Sequence, residues 1–119
     1  AVTGVQTCAL PIFGEVKDKI AIIVDDICDT AGSLTSAAAV LKEKGALQVY
    51  AAVTHGVLSG PAIRRIEDSC LEKLLITDTI PLSAEAAKCS KIEVLSIAEL
   101  LGKAIRRIHN SDSVSSLFI

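Results

Sequence analysis

Apolar and polar positions alternate in blocks along the chain, and the blocks read as a series of short elements. Ala21, Ile22, Ile23 and Val24 form a nearly continuous apolar run, the pattern of a strand covered on both faces, and it stops at Asp25 and Asp26. After a short loop, Leu34, Ala37, Ala38 and Leu41 recur at helical spacing, and Gly45 is placed to stop that helix. Residues 47–53, LQVYAAV, read as a second strand. Ser59 is placed to cap a short helix through Ile63 and Ile66, with Pro61 in its first turn. Residues 71–76 predict a third strand, ended by TDTIP. A less regular stretch, SAEAAKCS, leads to a short strand over residues 92–95.

The last helix has the clearest pattern. Ile97, Leu100, Leu101, Ala104, Ile105 and Ile108 form one apolar stripe, and Ser96 with Glu99 has the spacing of a capping box. Lys103, Arg106 and Arg107 fall in its later turns, where cations complement the helix dipole, and Asn110 ends it. The order β-α-β-α-β-β-α predicts an α/β fold with a mostly parallel sheet flanked by helices. Residues 1–12, AVTGVQTCALPI, carry no charge and no sustained period, and are expected to be an unstructured or non-native leader to a domain over 13–119. The polar tail SDSVSSLFI is expected to be flexible.

Composition narrows the picture. At 119 residues the chain has the size of one domain, and half of it is hydrophobic but only 3 % aromatic, so Ile, Leu, Val and Ala must fill the core. Twelve basic against fourteen acidic side chains leave a net charge of -2, which gives no global attraction to nucleic acid or to an anionic membrane. The four cysteines, Cys8, Cys28, Cys70 and Cys89, form neither a CxxC pair nor a compact metal cluster. They are expected to be reduced structural thiols of a cytoplasmic protein. No apolar run is long enough for a membrane span.

The chemistry concentrates in residues 22–33, IIVDDICDTAGS. Two adjacent carboxylates at a strand end are costly if buried together, because like charges oppose each other's ionisation. A divalent cation or the hydroxyls of a bound sugar would compensate Asp25 and Asp26. Asp29, Thr30, Ala31, Gly32 and Ser33 form a small-residue loop directly before a helix, where backbone N–H groups and two hydroxyls can wrap a phosphate. Gly32 lets the backbone approach a ligand closely. A sugar phosphate satisfies both halves. The alternative is structural: Asp25 and Asp26 are solvated charges, and Asp29 or Ser33 caps the helix. The P-loop and dinucleotide-binding glycine patterns are both absent.

VDDICDTAGS resembles the phosphoribosyl-diphosphate loop of type I phosphoribosyltransferase-fold proteins. It is followed in order by THGVLSGPA, TDTIP, KIEVLSIAELLGKAIRRIHN and SVSSLF. Together these resemble the carboxy-terminal domain of the ribose-phosphate pyrophosphokinase family over residues 14–119. The resemblance implies transfer of the β,γ-diphosphoryl group of ATP to O1 of ribose 5-phosphate, with Mg²⁺ neutralising charge. It implies that Asp25 and Asp26 hold the ribose hydroxyls, and that Asp29, Thr30, Ala31, Gly32 and Ser33 hold the 5-phosphate. It also implies an upstream domain bearing the ATP pocket, so the chain reads as part of a longer protein and should be inactive alone. Homo-oligomerisation as a hexamer built from dimers is implied as well, with Ser113, Val114 and Ser115 near a regulatory phosphate or ADP site.

Other candidates have simpler roles. His55 reads as a loop-structural residue after the second strand, and His109 as a favourable charge at a helix end. Thr54, Gly56, Ser59 and Gly60 read as a small-residue turn able to approach a ligand or simply as a loop and helix cap, and Asp78 reads as a turn former, the alternative being a supporting role at the ligand edge. Cys28 carries no assigned chemistry. Two other functions use the same acidic loop: a phosphoribosyltransferase that consumes the diphosphate, and a non-catalytic synthetase-associated regulatory subunit.

Overall fold

The computed structural model describes residues 14–118, and the leader reading of residues 1–12 lies outside them. Strand β1 (Ile20–Cys28) leads through helix α1 (Gly32–Glu43) to β2 (Gln48–Gly56). Helix α2 (Ala62–Asp68) joins β2 to β3 (Leu71–Thr77), and the short α3 (Ala84–Lys88) joins β3 to β4 (Ile92–Leu95). Helix α4 (Ala98–His109) and a 3₁₀ turn (Ser115–Phe118) complete the described chain. All three strand pairings are parallel, and the sheet order is β1-β2-β3-β4. The fold is the expected α/β arrangement.

That strand order decides where the core lies. Parallel crossovers are right-handed, so three successive crossovers stepping the same way across a sheet place their helices on one face. Val49, Ala51 and Val53 of β2 and Leu74 and Ile76 of β3 are buried there, beneath Leu34 and Ala38 of α1 and Ala62, Ile63 and Ile66 of α2. The opposite face is bare among the described residues: Ile22 is 64 % exposed and Val24 78 %. The apolar run of β1 therefore does not mark a strand covered on both faces, as its pattern predicts. Alternation sends Ala21 and Ile23 to the core and their neighbours to the open side.

The stop signals act as expected at α1. Gly45, at φ 98°, takes the left-handed position after the helix, and Ala46 N–H reaches back to Leu41 O at 3.1 Å. Other local readings change. SAEAAKCS contains a helical turn, started by Ser83, whose Oγ accepts the Ala86 N–H at 3.1 Å. Ser59 does not cap α2 through its side chain, and Pro61 occupies the N-cap position itself. The capping box at α4 does not form, because Glu99 pairs with Lys103 at 2.7 Å instead of reaching back. No residue of α4 is buried, so its apolar stripe stays in the open, with Ile108 68 % exposed.

The tail is not free. Arg107 Nη1 donates to Ser113 O at 2.9 Å and to Ser116 Oγ at 2.5 Å, folding residues 113–118 back on α4. Cys28, Cys70 and Cys89 are free thiols, as expected, and Cys8 lies outside the described residues. No described helix is long and apolar enough to cross a membrane.

Candidate functional site: an anion loop at the end of β1

Strand β1 does not stop at Asp25 and Asp26, as the apolar run suggests, but continues to Cys28. Pairing with β2 persists to Ile27↔His55 and Cys28↔Gly56, which carries the strand past both carboxylates. Successive strand residues point to opposite faces, so the two carboxylates do not converge on one point. Both are exposed, so the cost of burying like charges together does not arise. Asp25 Oδ1 accepts the Asp26 backbone N–H at 2.8 Å.

The chain then turns sharply. Ala31 has φ 62° and ψ 11°, a left-handed conformation that costs a non-glycine residue about 1–3 kcal/mol and persists where its surroundings enforce it. It is the N-cap of α1, and no side chain caps that end. The structural alternative, in which Asp29 or Ser33 caps the helix, is therefore not what forms. The first residues of α1 instead line a small cavity of ≈ 230 Å³ together with Asp25 and residues 27–31. A helix N-terminus with free N–H groups and its positive dipole end favours an anion.

The segment after β2 holds this loop from behind. Val57 and Leu58 N–H groups both donate to Cys28 O, at 3.0 and 3.1 Å, and Ser59 N–H donates to Asp29 O at 3.0 Å. The Ser59 hydroxyl donates to the Asp29 carboxylate, and Arg65 Nη1 donates to Thr30 O at 3.0 Å. Cys28, buried at the base of the loop, has its thiol pKa pushed up by that burial, against a lowering from the Ala31 N–H that it accepts. It packs at the base of the loop as a buried free thiol. Pattern reading missed Arg65 altogether, and it placed Ser59 in a turn near the ligand without its partner Asp29. Both lie in SGPAIRR, the turn before α2 and its first residues, and Ser59 meets its partner Asp29 30 positions earlier in the chain.

Gly32 has a structural reason beside the expected one. A Cβ there would lie 3.3 Å from Arg65 Nη1, tighter than ordinary contact, so its missing side chain makes room for the guanidinium. Gly56 is required by approach to the neighbouring strand, since a Cβ there would stand 2.8 Å from Ile76 Cδ1.

Of the remaining candidates, Thr54, His55 and Asp78 have structural roles at the ends of β2 and β3, whereas His109 and the tail serines lie at the far end of α4. His55 Nδ1 meets Thr79 Oγ1 at 2.8 Å, and Thr77 Oγ1 donates to Thr54 O at 2.6 Å. Thr54 and His55 belong to β2 itself, which runs to Gly56, so His55 has a structural role within the strand and not in a loop after it. Asp78 Oδ1 accepts the Ile97 N–H at 3.0 Å. Hydrogen bonds from the Ser96 hydroxyl and from Ile97 N–H hold its carboxyl below the usual aspartate range. Asp78 therefore ties the end of β3 to the start of α4. His109 ends α4. Ser113 and Ser115 share a hydroxyl–hydroxyl contact of 2.8 Å, with Val114 between them half-buried. Among the described residues no group of three or more His, Cys, Asp or Glu side chains is arranged to hold a metal ion.

A parallel sheet with a tight, uncapped, small-residue loop at a helix start can be compared with known proteins. The sequence matches the phosphoribosyl synthetase-associated domain family over residues 2–119. The chain belongs to that family. It is 56 % identical over 113 residues to ribose-phosphate pyrophosphokinase A of Dictyostelium discoideum, covering 95 % of this chain and 36 % of that protein. It is 59 % identical over 107 residues to the ribose-phosphate pyrophosphokinase of Bordetella pertussis, covering 90 % and 34 %. The phosphoribosylpyrophosphate synthetase structure from Mycobacterium smegmatis superposes with a TM-score of 0.79 at 38 % identity, covering 83 % of this chain and 33 % of that one. This phosphoribosyl synthetase-associated domain spans about a third of the length of these relatives. The kinship expected from the motifs holds.

Proposed function

We propose that the chain is the ribose 5-phosphate-binding part of a ribose-phosphate diphosphokinase. That enzyme moves the diphosphoryl group of ATP to O1 of ribose 5-phosphate, giving 5-phospho-α-D-ribose 1-diphosphate and AMP. The observation that carries the reading is the uncapped N-terminus of α1 behind the left-handed Ala31, in a relative of such enzymes at 56 % identity. Asp29, Thr30, Ala31, Gly32 and Ser33 hold the 5-phosphate through backbone N–H groups and the two hydroxyls. Asp25 and Asp26, exposed at the rim, accept hydrogen bonds from the ribose hydroxyls.

Mg²⁺ supplies charge neutralisation on the transferring phosphoryl oxygens when bound. A single exposed carboxylate fits an ion shared with substrate phosphates, as Mg²⁺ commonly is, and two that point to opposite faces do not make a resident all-protein cage. Asp25 or Asp26 is the residue that would take part. The chain's own contribution is positioning: it fixes the acceptor by its phosphate and its hydroxyls so that O1 meets a nucleotide held elsewhere. The ATP pocket belongs to the remaining two-thirds of a full-length enzyme, so the 119-residue chain alone should form no AMP. The intact protein is a cytoplasmic homo-oligomer, a hexamer built from dimers, without nucleic-acid or membrane partners. The hydroxyls of Ser113 and Ser115, gathered in the tail that Arg107 anchors, serve a regulatory phosphate or ADP beside Val114.

A chimera tests the function: residues 14–119 replace the matching third of the Dictyostelium relative. With ATP, Mg²⁺ and ribose 5-phosphate, and no nitrogenous base, AMP and phosphoribosyl diphosphate should appear in equal amounts. Release of diphosphate only when a base is added to phosphoribosyl diphosphate would identify a phosphoribosyltransferase. A folded oligomer doing neither would identify a regulatory subunit.

A further inference from the structure

Three successive carbonyls of the anion loop are bound by one segment. Cys28 O accepts from Val57 and Leu58, Asp29 O from Ser59, and Thr30 O from Arg65 Nη1. Every described peptide bond is trans, and a trans peptide points its carbonyl and its N–H in opposite directions. Fixing these carbonyls therefore turns the N–H groups of Asp29, Thr30 and Ala31 away from the 57–65 segment; that of Ala31 goes to Cys28 Sγ, and the peptide between the two bonds fixes where α1 and its free first amides begin. The first two carbonyls are held by backbone donors. The third, immediately before the strained Ala31, is held only by a side chain. Arg65 also fills the space left by the missing Gly32 side chain, at 3.3 Å from the absent Cβ position.

We infer that Arg65 is a positioning residue for the phosphate loop: its guanidinium fixes the Thr30–Ala31 peptide and so sets the geometry of the amides that receive the anion. This rests on the phosphate-binding role proposed above. The loop itself, residues 25–34, contains three aspartates and no Lys or Arg. Arg65 is thus the cation in contact with the loop's backbone, and it acts through the peptide rather than by touching the ligand. Neighbouring Arg64 faces elsewhere, pairing with Asp68 at 3.7 Å on the exposed side of α2.

The test compares R65M, R65K and R64M in the 119-residue chain. Met keeps an apolar stem against Gly32 and removes the donor, whereas Lys restores a donor with charge. In the ligand-free chain, R65M should shift the ¹H–¹⁵N resonances of Thr30, Ala31 and Gly32 and speed their amide exchange. R65K should recover part of both effects, R64M should leave both unchanged, and all three variants should melt together. Titration with ribose 5-phosphate and with inorganic phosphate should show affinity lost by about three- to tenfold in R65M, the net worth of one ordinary hydrogen bond, since the lost bond acts on the ligand only through the peptide. Wild-type loop resonances and exchange in R65M would overturn the inference whatever the ligand does. Altered loop amides in R65M together with no phosphate binding by wild type would uphold the positioning role and overturn the proposed function instead. Equal phosphate affinity in wild type and R65M would show that the peptide's geometry does not govern the anion, and would also overturn the inference.

Discussion

At the scale of single residues, two glycines are fixed by what surrounds them and not by backbone conformation. A methyl group on Gly56 would collide with Ile76, itself fully buried in β3 and unable to move aside cheaply. Gly56→Ala should therefore destabilise the chain by about 1–3 kcal/mol, as overpacking of a filled core does, measured by urea denaturation. Gly32 faces a side chain that can swing away. Gly32→Val should leave the melting temperature nearly unchanged, because Arg65 yields. With Thr30 O released, ribose 5-phosphate should bind at least about tenfold more weakly by calorimetry. Unchanged affinity in that variant would remove Gly32 from the phosphate site. Asp25→Asn and Asp26→Asn should weaken ribose 5-phosphate while leaving inorganic phosphate binding intact, since neither carboxylate belongs to the loop's amides.

At the scale of elements, α4 depends on a contact made far from its own sequence. Its start is held by Asp78, which accepts the Ile97 N–H, while Ser96 Oγ accepts the Ala98 N–H. Because folding lowers the pKa of Asp78, its contribution is present above the unfolded carboxyl's pKa and is lost as pH falls through the lower folded value. Amide exchange at Ile97–Leu101 should rise as pH drops below about 4, after correction for intrinsic rates. Asp78→Asn should keep the acceptor and abolish that pH dependence. Asp78→Ala should fray the start of α4 at every pH. Glu99 is lowered for a different reason, its hydrogen bond to Lys103, and that pair stabilises the first turns without closing a cap.

At the scale of the whole molecule, the one-sided core makes substitutions unequal. Leu74→Ala, at a fully buried position under the helices, should cost about 2–5 kcal/mol. Ile22→Thr and Val24→Thr, on the open face, should each change the stability of the 119-residue chain by less than about 0.5 kcal/mol. A large loss from either open-face variant would mean that this face is covered in solution. The apolar stripe of α4 invites the same comparison, with Ile105→Ser and Ile108→Ser expected to be neutral in the isolated chain.

Local pattern alone determined the α/β class, the positions of four strands and of the longer helices, and the acidic loop between β1 and α1. It could do so because periodicity, stop glycines and the run of small residues act over a few neighbouring positions. Tertiary structure decided the rest. Whether β1 was covered on one face or two depended on the order of strands, which no single strand encodes. The strand's extension past Asp25 and Asp26 came from pairing with His55 and Gly56. Ser59 reads as a helix cap until the fold brings it to Asp29, and Glu99 reads as half of a capping box until Lys103 and Asp78 compete for the same groups. Arg65 was illegible for the same reason: a surface arginine in a short helix acquires its role only when a parallel crossover sets it against a peptide 35 positions earlier.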